Sequence, residues 1–172
     1  MPSSNLACAP RILNLVWELH QTHEGTLRVL DVGPGHGKYG VLLREYVGPM
    51  HITAIEMWEP YVVSHNLQCL YDRVLVGDVT ELTDLDYDLV LMVDVIEHIP
   101  KPEALALLDR IPGWIIVCTP RDFFSNGPGL PDTEEHVSHW TVEEFAAMPR
   151  FHDYAEPEHD TLGAIIVRLR PL

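Results

Sequence analysis

The chain has 172 residues, 47% of them apolar, which suits one domain with a real core and argues against disorder. With 26 acids against 11 Lys and Arg the formal net charge is −15, so neither nucleic acid nor an anionic membrane surface is an expected partner. Three scattered cysteines (Cys8, Cys69 and Cys118) with no C-x-x-C, no apolar run near the ~20 residues of a membrane span, and no basic-then-apolar leader point to a reduced, cytoplasmic, single-domain protein.

In chain order, residues 1–10 are small and polar and read as a loose start. Ile12, Leu13, Leu15, Val16 and Leu19 predict an amphipathic helix over Pro10–His20, packed on a sheet edge or over a ligand pocket. Arg28–Val32 reads as a short buried strand that breaks into Gly33-Pro34-Gly35-His36-Gly37. From Lys38 the spacing of Tyr39, Leu42, Leu43 and Tyr46 predicts a helix. Such a turn lets the backbone approach a ligand closely, and the helix N-terminus points free N–H groups at it.

Three ligand classes use turns of this kind. A P-loop needs four residues between its glycines and a Ser or Thr after the Lys; here three separate Gly33 from Gly37, and Tyr39 follows Lys38. The dinucleotide pattern G-x-G-x-x-G fails from Gly33, where its third position is Lys38, and matches only from Gly35, two residues late. The remaining pattern is an acid, Asp31, two residues before G-x-G-x-G. A carboxylate there repels a pyrophosphate and suits a cationic amino-acid ligand. This segment resembles motif I of class I S-adenosylmethionine (SAM) dependent methyltransferases.

His51–Glu56 reads as the second strand, closed by Glu56 with Met57 beside it. An acid at this place can accept hydrogen bonds from both hydroxyls of a ribose. A helix is expected over Pro60–Tyr71 and a third strand over Arg73–Gly77. Asp78 and Val79 then stand where an acid can accept from an adenine amine and an N–H can donate to a ring nitrogen; Asp78 also reads as a turn or cap residue. Val76-Gly77-Asp78-Val79 resembles the adenine-binding segment of the same family.

Tyr87–Val93 is an unbroken apolar run after its first two residues, as a strand covered on both faces requires. Asp94-Val95-Ile96-Glu97-His98-Ile99 follows it and faces the crevice of the glycine turn. Tyr87-Asp88-Leu89-Val90 with Asp94 to Ile99 resembles small-molecule methyltransferases of the ubiquinone-biosynthesis type. The resemblance implies that Asp94 contacts the cofactor and that Asp94 and His98 carry the chemistry, His98 taking a proton from an attacking hydroxyl. A His that caps the turn is the plain alternative.

A short helix over Glu103–Arg110 and a fifth strand over Trp114–Thr119 come next. The loop of residues 120–140 is long, rich in Pro and Gly, and leaves a strand end beside the crevice. Its Arg121, Phe123, Phe124, His136, His139 and Trp140 are expected to line an acceptor pocket. His136 and His139 form H-x-x-H, but ten histidines make chance pairs common, so no metal is expected. Thr141 and Glu144 read as a capping box opening a helix to Ala147, and Phe151–Glu156 and Ala164–Leu169 as a closing hairpin.

The resemblance covers about Leu27 to Leu169. It implies a Rossmann-like α/β fold with a doubly wound seven-stranded sheet, order 3-2-1-4-5-7-6 and the last strand antiparallel. It implies SAM as cofactor and S-adenosylhomocysteine as product, with in-line transfer to oxygen or nitrogen of a small-molecule acceptor. Asp31, Gly33, Gly35 and Gly37 would hold the methionine end, Glu56 the ribose, and Asp78 and Val79 the adenine. A nearly minimal domain leaves the acceptor pocket open or completed by a second copy in a homodimer. Two rival readings are a non-catalytic SAM-binding partner subunit and a nicotinamide-dependent reductase.

Overall fold

The computed structural model describes residues 6–122, 135–156 and 163–172. Its frame is one seven-stranded sheet of order β3-β2-β1-β4-β5-β7-β6, the order expected from the sequence. The strands are β1 (Arg28–Val32), β2 (His51–Glu56), β3 (Arg73–Val76), β4 (Leu89–Val93), β5 (Trp114–Pro120), β6 (Phe151–Ala155) and β7 (Ala164–Leu169). β3, β2, β1, β4 and β5 run parallel, and β7 pairs antiparallel with both β5 and β6. All five residues of β4 and all six of β7 are buried, because helices or loops cover both faces.

Apolar side chains alternate between two cores. On one face α1 (Ala9–Thr22), α2 (Lys38–Tyr46) and α3 (Glu59–Ser64) bring Ile12, Val16, Leu43 and Val62 onto Val29, Ile52 and Leu91. On the other, α4 (Lys101–Arg110) and α5 (Val142–Ala146) bring Leu107, Leu108 and Phe145 onto Leu30, Val90 and Val117. The capping box of α5 is present: Thr141 Oγ1 accepts from Glu144 N, and Glu144 returns a carboxylate oxygen to Thr141 N at 2.9 Å. Arg150 draws loose ends together by donating to the carbonyls of Leu108, Ile111, Gly113 and Arg170 at 2.6–2.8 Å. Near the far edge, buried Arg168 of β7 binds Asp153 of β6 and Glu18 of α1 at 2.8 and 2.9 Å.

Three expectations change. The start is not loose throughout: Leu6–Cys8 forms a helical turn running into α1, and Cys8 and Ala9 are buried. The helix expected over Pro60–Tyr71 stops at Ser64, because Asn66 takes a left-handed φ of 54° and restarts the chain as a short 3₁₀ turn, Leu67–Cys69. Strand four begins at Leu89 rather than Tyr87. Between β3 and β4 the chain crosses two strands without a helix, its cover supplied by Val79 and Leu85 packed into the second core. Among the described residues no helix is long and apolar enough to cross a membrane.

Candidate functional site

Parallel strands end together, so the segments after β1, β2, β3, β4 and β5 meet along one edge of the sheet. Backbone bonds tie them: Gly33 N donates to Ile55 O at 2.9 Å, Gly77 N to Glu56 O at 3.0 Å, and Asp94 N to Cys118 O at 2.8 Å.

The turn after β1 holds Gly33, Gly35 and Gly37 at φ of 60°, 56° and 76°. At Gly33 space as well as dihedral demands glycine, since a Cβ would stand 2.8 Å from Val95 Cγ2. A Cβ on Gly37 would collide with the Leu70 side chain. Gly37 caps α2 in a left-handed conformation, and one of the helix's first N–H groups, that of Gly40, has its acceptor outside the helix in the Tyr71 hydroxyl. His65 holds the turn from the side, its ring Nδ1 donating to Gly35 O at 2.8 Å.

Asp31 lies beneath this turn, 2% exposed. Tyr71 donates its hydroxyl to Asp31 Oδ2 at 2.6 Å and accepts from Gly40 N at 3.3 Å. Burial pushes the Asp31 carboxyl up to about 7; the Tyr71 bond opposes that rise and the Glu56 charge adds to it. Glu56 is 6% exposed, with Oε1 accepting from Trp58 N at 2.8 Å, while Met57 beside it is half exposed. Asp78 Oδ1 accepts from Thr80 N at 2.8 Å, so the turn role is present, and Val79 is buried beside it.

After β4, Asp94 adopts a φ of 55°, a conformation rare for a residue with a side chain. Lys38 opens α2 within electrostatic reach of Asp94; burial pushes its ammonium down and Asp94 acts against that. Ile96–His98 then forms a 3₁₀ turn. Residues 135–138 are fastened across it: Val137 N and Ser138 N donate to Glu97 O at 2.9 and 3.0 Å, and Ser138 Oγ donates to Ile96 O at 3.1 Å. His98 Nδ1 donates to Glu135 O at 2.9 Å, and the His98 and His136 rings meet edge to face at 4.9 Å. Glu97 is buried, with Oε2 accepting from Thr119 Oγ1 at 3.0 Å. Burial, aided by Asp94, pushes its carboxyl up to about 8.

The expected acceptor residues divide. His136 joins His98, whereas His139 Nε2 donates to Arg121 O at 2.7 Å, so the two ends of H-x-x-H serve different partners. Trp140 is corrected from pocket to core: it is 1% exposed, its indole N–H donates to Ser138 Oγ at 2.9 Å, and its ring stacks on Phe145. Phe123 and Phe124 lie outside the described residues. Sequence reasoning missed Tyr71, His65, Lys38 and Glu97. Glu97 alone had a signal, its place between Asp94 and His98; the others act across 30 or more positions or through a crevice that local pattern does not show.

A family model described as a methyltransferase domain matches residues 6–155. No curated protein sequence matches the chain. Among solved structures, a protein of Pyrococcus horikoshii OT3 is similar at 19% identity and a TM-score of 0.64, over 98% of this chain and 92% of its own. The 1,6-didemethyltoxoflavin-N1-methyltransferase of Burkholderia thailandensis, solved with 1,6-didemethyltoxoflavin and S-adenosylhomocysteine, is similar at 20% identity and a TM-score of 0.68, over 96% and 79%. A chain from the complex of the Haloferax volcanii Trm112 methyltransferase activator is similar at 14% identity and a TM-score of 0.65, over 96% and 94%. At these identities the likeness to solved structures is one of fold.

Proposed function

The chain belongs to the class I SAM-dependent methyltransferases, and on that premise we propose that it methylates a small-molecule acceptor, at oxygen or nitrogen, in the crevice along the carboxyl edge of its sheet. The observation that carries this reading is the meeting of a three-glycine turn with two buried acids, Asp31 and Glu56, at adjacent strand ends. The residues fit the cofactor. Gly33 lets the turn close against Val95, and acids in place of basic groups suit an ammonium and ribose hydroxyls rather than a pyrophosphate.

When bound, SAM supplies an electrophilic methyl on a sulfonium. This chain's residues then have three tasks. Asp31 and the glycine turn bind the methionine end, Glu56 the ribose, and Asp78 with the Val79 N–H the adenine. Asp94, at the end of β4, and Lys38, at the start of α2 within its electrostatic reach, would orient both reactants for in-line attack. His98, with Nδ1–H committed to Glu135 O, presents Nε2 as the lone pair that accepts a proton from an attacking hydroxyl.

Calorimetric titration with SAM, S-adenosylhomocysteine and NADH tests the cofactor assignment. Binding of the first two but not NADH, weakened roughly a hundredfold in Glu56→Ala through loss of charge-assisted hydrogen bonds and weakened also in Asp78→Ala, is expected. Absence of SAM binding by the folded protein overturns the reading.

The similarity to a chain solved with an activator protein favours a second reading, in which this chain works with a protein partner. The non-catalytic form of that reading parts from the enzyme at His98→Ala: the enzyme, with or without a partner, loses turnover, whereas a non-catalytic subunit leaves its partner's activity intact.

A further inference from the structure

We propose that Glu97, His98 and His136 form a binding site for a divalent transition-metal cation such as Zn²⁺ or Mn²⁺. A carboxylate oxygen of Glu97 and one ring nitrogen from each histidine lie within 4.8 Å of one another. Two histidines and one carboxylate are a donor set for such cations, and three protein ligands leave positions open for water or a substrate oxygen.

The surrounding bonds hold this set in place. Glu97 and His98 are neighbours on one 3₁₀ turn, and His136 belongs to the segment fastened across that turn by three backbone and side-chain bonds. Because His98 Nδ1–H is given to Glu135 O, the lone pair of this ring is on Nε2, the usual outer-shell arrangement for a metal-bound imidazole. Thr119 fixes Glu97 through Oε2 in the same way. The other oxygen, Oε1, is buried and has no hydrogen-bond partner among the described residues. An acceptor buried in this way costs free energy unless something fills it, and a cation at this place does so. His139, the other member of H-x-x-H, is not in the set, since its Nε2 is taken by Arg121 O.

The cation would sit on the acceptor side of the crevice, after β4. His98 Nε2 cannot both ligate a metal and take a proton. With metal bound, an acceptor hydroxyl would bind through its oxygen and give its proton to solvent, acidified by the metal. That consequence rests on the methyl-transfer reading; the binding site does not.

The test is titration of chelator-stripped protein with ZnCl₂, MnCl₂ and MgCl₂ by calorimetry, and with CoCl₂ by visible absorption. One equivalent of Zn²⁺ or Co²⁺ is expected, the Co²⁺ form with ligand-field bands. Affinity should fall at least tenfold in His98→Ala, His136→Ala and Glu97→Gln, and hold in His139→Ala and His36→Ala. If Glu97→Gln fails to fold by circular dichroism, the two partly exposed histidines decide. No binding by the folded wild type, or binding unchanged in both His98→Ala and His136→Ala, overturns the proposal. SAM titration of the same samples reads the cofactor site separately, so failure of one assignment is not mistaken for failure of the other.

Discussion

The Tyr71 hydroxyl stands between Asp31 and the first turn of α2, donating to the buried carboxylate at 2.6 Å and accepting from Gly40 N at 3.3 Å. A single oxygen thereby locks the strand before the glycine turn to the helix after it. Tyr71→Phe removes both bonds and leaves two buried polar groups unmatched, at a cost of roughly 1–3 kcal/mol. Thermal unfolding should show a lower Tm, and SAM affinity should fall with it. An unchanged Tm would mean that the turn is held from elsewhere.

The raised Asp31 carboxyl makes a pH prediction. Its folded value is about 7 against an ordinary 3.8, so between these the folded state holds a proton that the unfolded state has lost. Stability from this group is therefore full below about pH 4 and is lost as pH rises through 7, by an amount on the order of 4 kcal/mol at most. Denaturant unfolding across pH 4–8 should show this decline, and Asp31→Asn should reduce it, leaving the part that Glu97, raised to about 8 by its own burial, contributes over the same range. A slope identical in the variant would assign the effect to another acid.

Gly33 is held to glycine by two separable effects. Gly33→Ala meets the left-handed φ of 60°, costing about 1–2 kcal/mol, and the Val95 methyl at 2.8 Å. Adding Val95→Ala relieves only the second. The double variant should recover part of the lost Tm, and SAM binding by calorimetry should follow the same order. Full recovery would show that the dihedral carries no penalty here.

Arg150 is expected to matter for stability and not for binding. Arg150→Ala strips a charged donor from four carbonyls at the close of α4 and β7 and should cost on the order of 3 kcal/mol. Arg150→Lys should rescue little, since a point ammonium cannot reproduce a planar fork. SAM affinity at a temperature where both variants are folded should match the wild type.

What was legible in the sequence was what periodicity and turn chemistry determine. The continuous apolar run Leu89–Val93 marked β4 because both its faces are covered, and the Thr141–Glu144 spacing marked the start of α5 because its bonds are local. Contacts made at a distance were not legible. Nothing near Tyr71 announces a partner 40 positions earlier, and Asn66 looked like one more helix residue until its φ broke α3. The sequence places Trp140 in a pocket because it closes a long loop that leaves a strand end beside the crevice; the Ser138 hydroxyl that lets its indole N–H be buried is visible only in three dimensions. The fastening of residues 135–138 onto Glu97 was hidden for the same reason, and with it the cluster of Glu97, His98 and His136.

The last strand in sequence is not the last in the sheet. β6 stands at the margin and pairs with β7, while β7 takes the inner place beside β5. The outer strand therefore has no berth until the inner one has docked, and the natural order of assembly is a free hairpin that lands as one piece. In hydrogen exchange, the amides of Phe151–Ala155 should open whenever those of Ala164–Leu169 do, and never outlast them.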